Sequence, residues 1–133
     1  HFYRLKIEVD IDTDGDGLLD SWETRGIDSN GDGTIDFKPA DFGARPDKKD
    51  IFVEIDAGDF PFPVAAGDKV VAAFAAAPVP NPDNSTGIKL HLIYDETGIG
   101  LPGATSVGGF PIGFPQTKEA HFGTVAERAD PNL

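Results

Sequence analysis

Between Asp12 and Asp36 the chain places eight carboxylates in two consecutive glycine-punctuated loops. In the first, Asp12, Asp14, Asp16, Gly17, Leu18, Asp20 and Glu23 fall at positions 1, 3, 5, 6, 7, 9 and 12 of a twelve-residue calcium loop. The spacing has a physical reason. A cation of Ca²⁺ size takes about 6–8 oxygens at roughly 2.3–2.6 Å, and alternate side chains of a tightly curled loop point inward. Gly17 permits the sharp turn. Leu18 offers its carbonyl oxygen, Glu23 closes the shell with both of its oxygens, and Asp20 binds directly or through water.

The second loop begins sixteen residues later and repeats the pattern with Asp28, Asn30, Asp32, Gly33, Thr34 (through its carbonyl) and Asp36. Pro39 stands at position 12, where an acid is expected, and Asp41 lies two residues beyond it. Asp41, water or a carboxylate of the neighbouring loop would have to complete this shell, so the second site is expected to be weaker or more hydrated. A solvated acidic linker is the plain alternative. Two registers in tandem, with an apolar residue at each position 8 (Leu19 and Ile35), favour two Ca²⁺ ions. Without metal the five acids of the first loop would repel one another at short range, so Ca²⁺ is expected to act as a folding ligand.

The flanking pattern is not that of a helix-loop-helix sensor. Residues 2–11 alternate, with Tyr3, Leu5, Ile7, Val9 and Ile11 against Arg4, Lys6, Glu8 and Asp10, which predicts a half-buried strand over 1–11. A short helix from Leu18 to about Thr24, ended by Gly26, would bury Leu19 and Trp22. Strand, loop, short helix and loop resemble a thrombospondin type 3 or dockerin-like calcium module.

Beyond a turn-rich connection over 37–49, residues 51–57 form a nearly continuous apolar run, interrupted by Glu54 and Asp56. It predicts a central strand covered on both faces, with either acid a candidate to help a metal or another site. Val64 to Ala77 is Ala-rich, with Val70, Val71 and Phe74 at helical spacing, and stops at Pro78: the main helix. Ile88 to Tyr94 alternates again, so the stretch 50–96 predicts a β-α-β crossover and a parallel strand pair. His91 falls on the polar face of that strand and reads as surface. Residues 97–116 form a long Gly/Pro-rich loop with apolar side chains, and 117–129 suit a short helix. The expected fold is therefore one α/β (α+β) domain over 1–133, with a small mixed sheet, one main helix and a tandem calcium segment over 12–41.

A net charge of −12, with sixteen of the 23 acids in the first 59 residues, makes nucleic acid a poor partner. No apolar run is long enough to cross a membrane. The chain begins with His1 rather than Met, as expected if a signal peptide has been removed. There is no cysteine, and millimolar extracellular Ca²⁺ would explain stability without disulfides, so secretion is expected. Ten phenylalanines, several in Gly/Pro-rich sequence, need a surface to pack on, either the core or another subunit.

The tandem loops Asp-Thr-Asp-Gly-Asp-Gly (12–17) and Asp-Ser-Asn-Gly-Asp-Gly (28–33), the run Lys49-Asp50-Ile51-Phe52-Val53-Glu54-Ile55-Asp56, the Ala-rich helix, Gly87-Ile88-Lys89-Leu90-His91 and His121-Phe122-Gly123-Thr124 together resemble the amino-terminal part of secreted bacterial zinc-metalloprotease-like proteins. In those proteins the zinc motif His-Glu-x-x-His lies beyond this region. It is absent here: His1, His91 and His121 are scattered, and neither a Cys nucleophile nor a Gly-x-Ser-x-Gly elbow is present. The resemblance implies a half-built α/β layer completed by more sequence or by another copy. The expected role is a non-catalytic, extracellular calcium-stabilised structural protein, a form compatible with a homo-oligomer or filament subunit. The alternative is the amino-terminal fragment of a metalloprotease-like enzyme.

Overall fold

The computed structural model describes residues 10–58, 61–99, 106–107 and 110–111. The strand expected before Asp10, the carboxy-terminal helix, most of the 97–116 loop, and His1 and His121 lie outside the described residues. What is described is a small α/β arrangement. A six-residue helix α1 (Asp20–Arg25) and a 3₁₀ turn (Pro39–Phe42) follow the two loops. Then come β1 (Asp50–Ala57), the main helix α2 (Val64–Ala75) and β2 (Lys89–Thr97). A two-residue antiparallel pair, β3 (Ser106–Val107) with β4 (Phe110–Pro111), stands apart from the β1-β2 sheet.

The β-branched, aromatic sequence of β1 suits an extended pleat. It pairs in parallel with β2, Asp50 beside Lys89 through Ile55 beside Tyr94, with an irregularity between Ile55 and Ala57. Successive residues of a strand point to opposite faces, and this divides the work of the sheet. On one face Ile51, Val53 and Ile55 of β1, with Leu90 and Leu92 of β2, meet Phe62 and α2 across an apolar cleft of about 280 Å³. On the other, Phe52 lies beside its register partner His91 and packs edge-on against Phe37 and Phe42, ring centroids 5.2 and 5.7 Å away. The segment after the second loop thus covers the sheet face opposite α2. Three of the phenylalanines that needed a surface find it in one another.

Two expectations about coverage are corrected. Val53 remains 39 % exposed, so among the described residues β1 is not covered on both faces. The helix facing it is rich in Ala, too short a side chain to fill the cleft. Trp22 is 37 % exposed and Glu23, not Trp22, is the buried residue of α1. Neighbouring helical positions diverge by about 100°, so a helix that turns Glu23 inward turns Trp22 away.

Glycine sets the connection from α2 to β2. Gly87 is buried at φ +94°, and a Cβ there would lie inside the contact distance of the Ala75 carbonyl oxygen. Its own carbonyl accepts from Asn81 Nδ2 at 2.9 Å, and Asn81 Oδ1 accepts from the Lys49 amide at 3.1 Å. One buried amide therefore ties the turn before β2 to the entry of β1. Gly98 also has positive φ (+75°) but meets nothing within 4 Å. Gly87→Ala is expected to destabilise the protein by more than about 2 kcal/mol, through backbone strain and overpacking together, and Gly98→Ala by only about 1 kcal/mol. Urea unfolding of the two variants checks the difference.

Candidate metal centre

Each loop is built by its own carboxylates. In the first, Asp12 accepts from the amides of Gly15 (2.7 Å) and Gly17 (3.0 Å), Asp14 from Asp16 (3.1 Å), and Asp16 from Leu18 (2.7 Å). Sixteen residues on, Asp28 accepts from Gly31 (2.7 Å) and Gly33 (2.8 Å), Asn30 from Asp32 (2.9 Å), and Asp32 from Thr34 (2.6 Å). Position 9 behaves alike in both. Asp20 holds the Thr13 amide and hydroxyl at 2.8 and 2.7 Å, and Asp36 holds those of Ser29 at 2.8 and 2.7 Å. The sequence repeat is thus a repeat of backbone geometry, each acid curling the chain around itself.

The loops differ in what they bring together. Oxygens of Asp12, Asp14 and Asp16 lie within 4.8 Å of one another, as do those of Asp16, Glu23 and Asp50. Asp14, Glu23 and Asp50 are 7 %, 1 % and 2 % exposed. Position 12 of the first loop therefore meets position 5, and Asp16 is shared between the two groups. Among the described residues the second loop forms no such cluster of three acids. Asp32 and Asp36 are exposed and Asp28 is half-buried, and Asp41 lies 3.8 Å from Lys38 on the 3₁₀ turn.

The decisive feature is what the buried oxygens lack. Both Glu23 carboxylate oxygens and Oδ2 of Asp14 are buried without a hydrogen-bond partner. Leaving such a group unpaired is costly, and more so when it is charged. Burial, then the charges of Asp16, Asp14, Asp50 and Asp20, push the Glu23 carboxyl up to about 8. Burial and Asp16 push Asp14 up to about 6, against the Asp16 amide and Lys49. Asp12 goes the other way: desolvation raises it, but the amides of Gly17, Gly15 and Asp16 and the Lys49 charge hold it below the ordinary value. Ser29 holds Asp36 low in the same manner, through its hydroxyl and its amide. A hard divalent cation bound by several carboxylate oxygens at once would relieve the repulsion and satisfy the orphaned atoms. The clustered acids fit a metal ion, and an all-oxygen donor set is compatible with Ca²⁺.

Sequence spacing does not reach Asp50. It stands 34 residues beyond Asp16, whose Oδ2 accepts the Asp50 amide at 2.7 Å. The only signal was a Lys-Asp pair at the head of an apolar run. Lys49 donates its ammonium to the Asp14 carbonyl, so both residues of that pair grip the first loop. His91, expected at the surface, is corrected: its side chain is 9 % exposed, its ring stacks on Phe52 at 4.3 Å, and its Nε2 lies 2.5 Å from Asp50 Oδ1. The alternation of β2 was right. The face opposite the apolar one is not solvent here because Phe42 packs over it and Asp50 meets the imidazole.

A second acidic group, Glu54, Asp56 and Asp95, lies towards the far end of the β1-β2 pair. Asp56 Oδ1 accepts from the Glu96 amide at 3.2 Å. Compared with protein-family models, with curated proteins and with solved structures, the chain finds no match. The functional reading rests on the site itself.

The raised carboxyls fix a pH dependence. Without metal the folded chain keeps protons on Glu23 and Asp14 that the unfolded chain releases, so stability contributed by the protonated forms is full below about pH 4 and is lost as pH rises towards about 8. In chelator the melting temperature is expected to fall from pH 5 to pH 8, and Glu23→Gln to flatten the fall above about pH 6. In excess Ca²⁺ the slope is expected to reverse, because binding displaces those protons. Thermal melts across pH, with and without chelator, check the sign.

Proposed function

We propose that this chain is an extracellular structural domain stabilised by Ca²⁺, with one ion held in the first loop by Asp12, Asp14, Asp16, Glu23 and the Leu18 carbonyl. Asp20 contributes directly or through water. The observation that carries this reading is Glu23, almost wholly buried and with neither oxygen partnered, beside two other carboxylates. A second, weaker ion belongs to the loop of Asp28, Asn30, Asp32, Thr34 and Asp36. That loop has the same hydrogen-bonded form but fewer charges, more exposed ligands and no acid at position 12. Extracellular Ca²⁺ is abundant enough to fill sites of modest affinity, and a secreted location follows from that. The reading assigns the chain no catalytic step.

Self-assembly is the second reading, favoured by the apolar cleft beside α2 and by the exposed Val53, Val70 and Tyr94. Parallel sheets normally have both faces covered, and another copy or more sequence, such as the remainder of a metalloprotease-like protein, would supply the cover. Under this reading the native mass in Ca²⁺ exceeds that of a monomer at high concentration. A strictly monomeric mass under those conditions removes it.

Ca²⁺ at about one hundred times its dissociation constant is expected to add about 2.7 kcal/mol of stability, and Mg²⁺ much less, because it dehydrates reluctantly and prefers octahedral geometry. Asp16→Ala is expected to abolish most of the Ca²⁺ effect and Asp68→Ala, on the exposed side of α2, to leave it intact. Calorimetric titration and thermal melts check both. Equal loss in the two variants would count against the assignment.

A further inference from the structure

We propose that Asp50, from the first position of β1, is an additional ligand of the cation in the first loop, and that His91 is the residue that positions it. The inference rests on the calcium reading and deepens it, by making the ion a crosslink between the loop and the β1-α2-β2 unit.

Three observations carry it. Asp50 is the third member of the cluster with Asp16 and Glu23, its oxygen within 4.8 Å of theirs. It is 2 % exposed, so its charge faces those carboxylates without bulk water between strands to screen it. Glu23, which shares that cluster, has two buried oxygens with no protein partner, so the cluster is built around something that it does not itself contain.

The hydrogen bonds of Asp50 leave room for a cation. Oδ1 is met by His91 Nε2 at 2.5 Å, and Oδ2 by the Arg45 amide at 3.3 Å. Each oxygen of a carboxylate keeps a second lone pair after one such contact. An imidazole that donates to a ligating carboxylate fixes its orientation, as outer partners of metal ligands commonly do. His91 is itself fixed, stacked on Phe52 with the two rings 7° from parallel. The chain of contacts therefore runs from cation to Asp50 to His91 to the aromatic layer under the loops.

The consequence is a link between distant parts of the chain. Asp16 and Asp50 are 34 residues apart, and a metal held by both closes that loop at the point where β1 begins. Binding free energy at such a site is folding free energy for both segments. A cation confined to the twelve-residue loop would make no direct bond to β1.

The test uses the whole chain with Eu³⁺ as a luminescent substitute for Ca²⁺. Lifetimes in H₂O and D₂O count the waters on the ion, and competition with Ca²⁺ gives affinity. Asp50→Asn is expected to add about one coordinated water and to weaken Ca²⁺ binding at least about tenfold. His91→Leu is expected to weaken it within the roughly 10- to 100-fold range of outer-shell partners, and His91→Gln, whose amide can still donate to Asp50, to recover most of that loss. In the unsubstituted protein the Asp50 carboxyl ¹³C resonance should move on Ca²⁺ addition together with those of Asp16 and Glu23, a readout that survives if Asp50→Asn does not fold. An Asp50 resonance that stays fixed while the others move, or an Asp50→Asn protein with unchanged hydration and affinity, would overturn the proposal and leave the first-loop site standing. If the unsubstituted protein binds neither Eu³⁺ nor Ca²⁺, the calcium reading falls and this inference with it.

Discussion

Mutual repulsion among Asp14, Asp16, Glu23 and Asp50 is the constraint on which the rest of the structure depends. Four carboxylates converge where two loop turns, a short helix and the head of a strand meet, and three of them are almost wholly removed from water. At an effective dielectric constant near 20, two unit charges 4 Å apart repel by about 4 kcal/mol. That is comparable with the entire stability of a small domain. Such a cluster persists only if protons or a cation neutralise it, and the unpartnered oxygens of Glu23 and Asp14 favour the cation, which binds several oxygens at once where a proton bridges at most two.

The architecture around the cluster follows from that need. Lys49 and Asp50 grip the first loop from the strand side, and Lys89 reaches from β2 to the carbonyls of Phe42 and Gly43 at 3.3 and 2.8 Å. Arg45 bonds Asp83 at 2.8 Å, joining the turn before β1 to the turn before β2. These contacts hold the acidic segment over the sheet face opposite α2, where Phe37, Phe42 and Phe52 supply the apolar component. Surface ion pairs of this kind contribute little one by one, so the aromatic layer and the neutralised cluster together must carry the docking.

Much of this was legible in the residues. Glycines and acids at fixed offsets described both loops because those offsets are dictated locally, by amides that the acids themselves cap. The Ala-rich helix ending before Pro78 and the parallel pair around it were equally local inferences. Asp50 and His91 were not legible, since their roles depend on which register β1 adopts beside β2 and on what lies across the sheet. Trp22 illustrates the same limit: apolar character argued for burial, but the geometry of α1 gave the inward position to Glu23. The cleft beside Val53 reflects the small side chains of α2, a matter of volume that an apolar pattern does not register.

The most direct test of the account is a crystal structure of the protein grown in Ca²⁺, with the ion identified by its anomalous signal. The account predicts an ion roughly 2.3–2.6 Å from oxygens of Asp12, Asp14, Asp16 and Glu23. A well-ordered first loop with no ion, and Glu23 hydrogen-bonded instead to a neighbouring carboxylate through a retained proton, would contradict it.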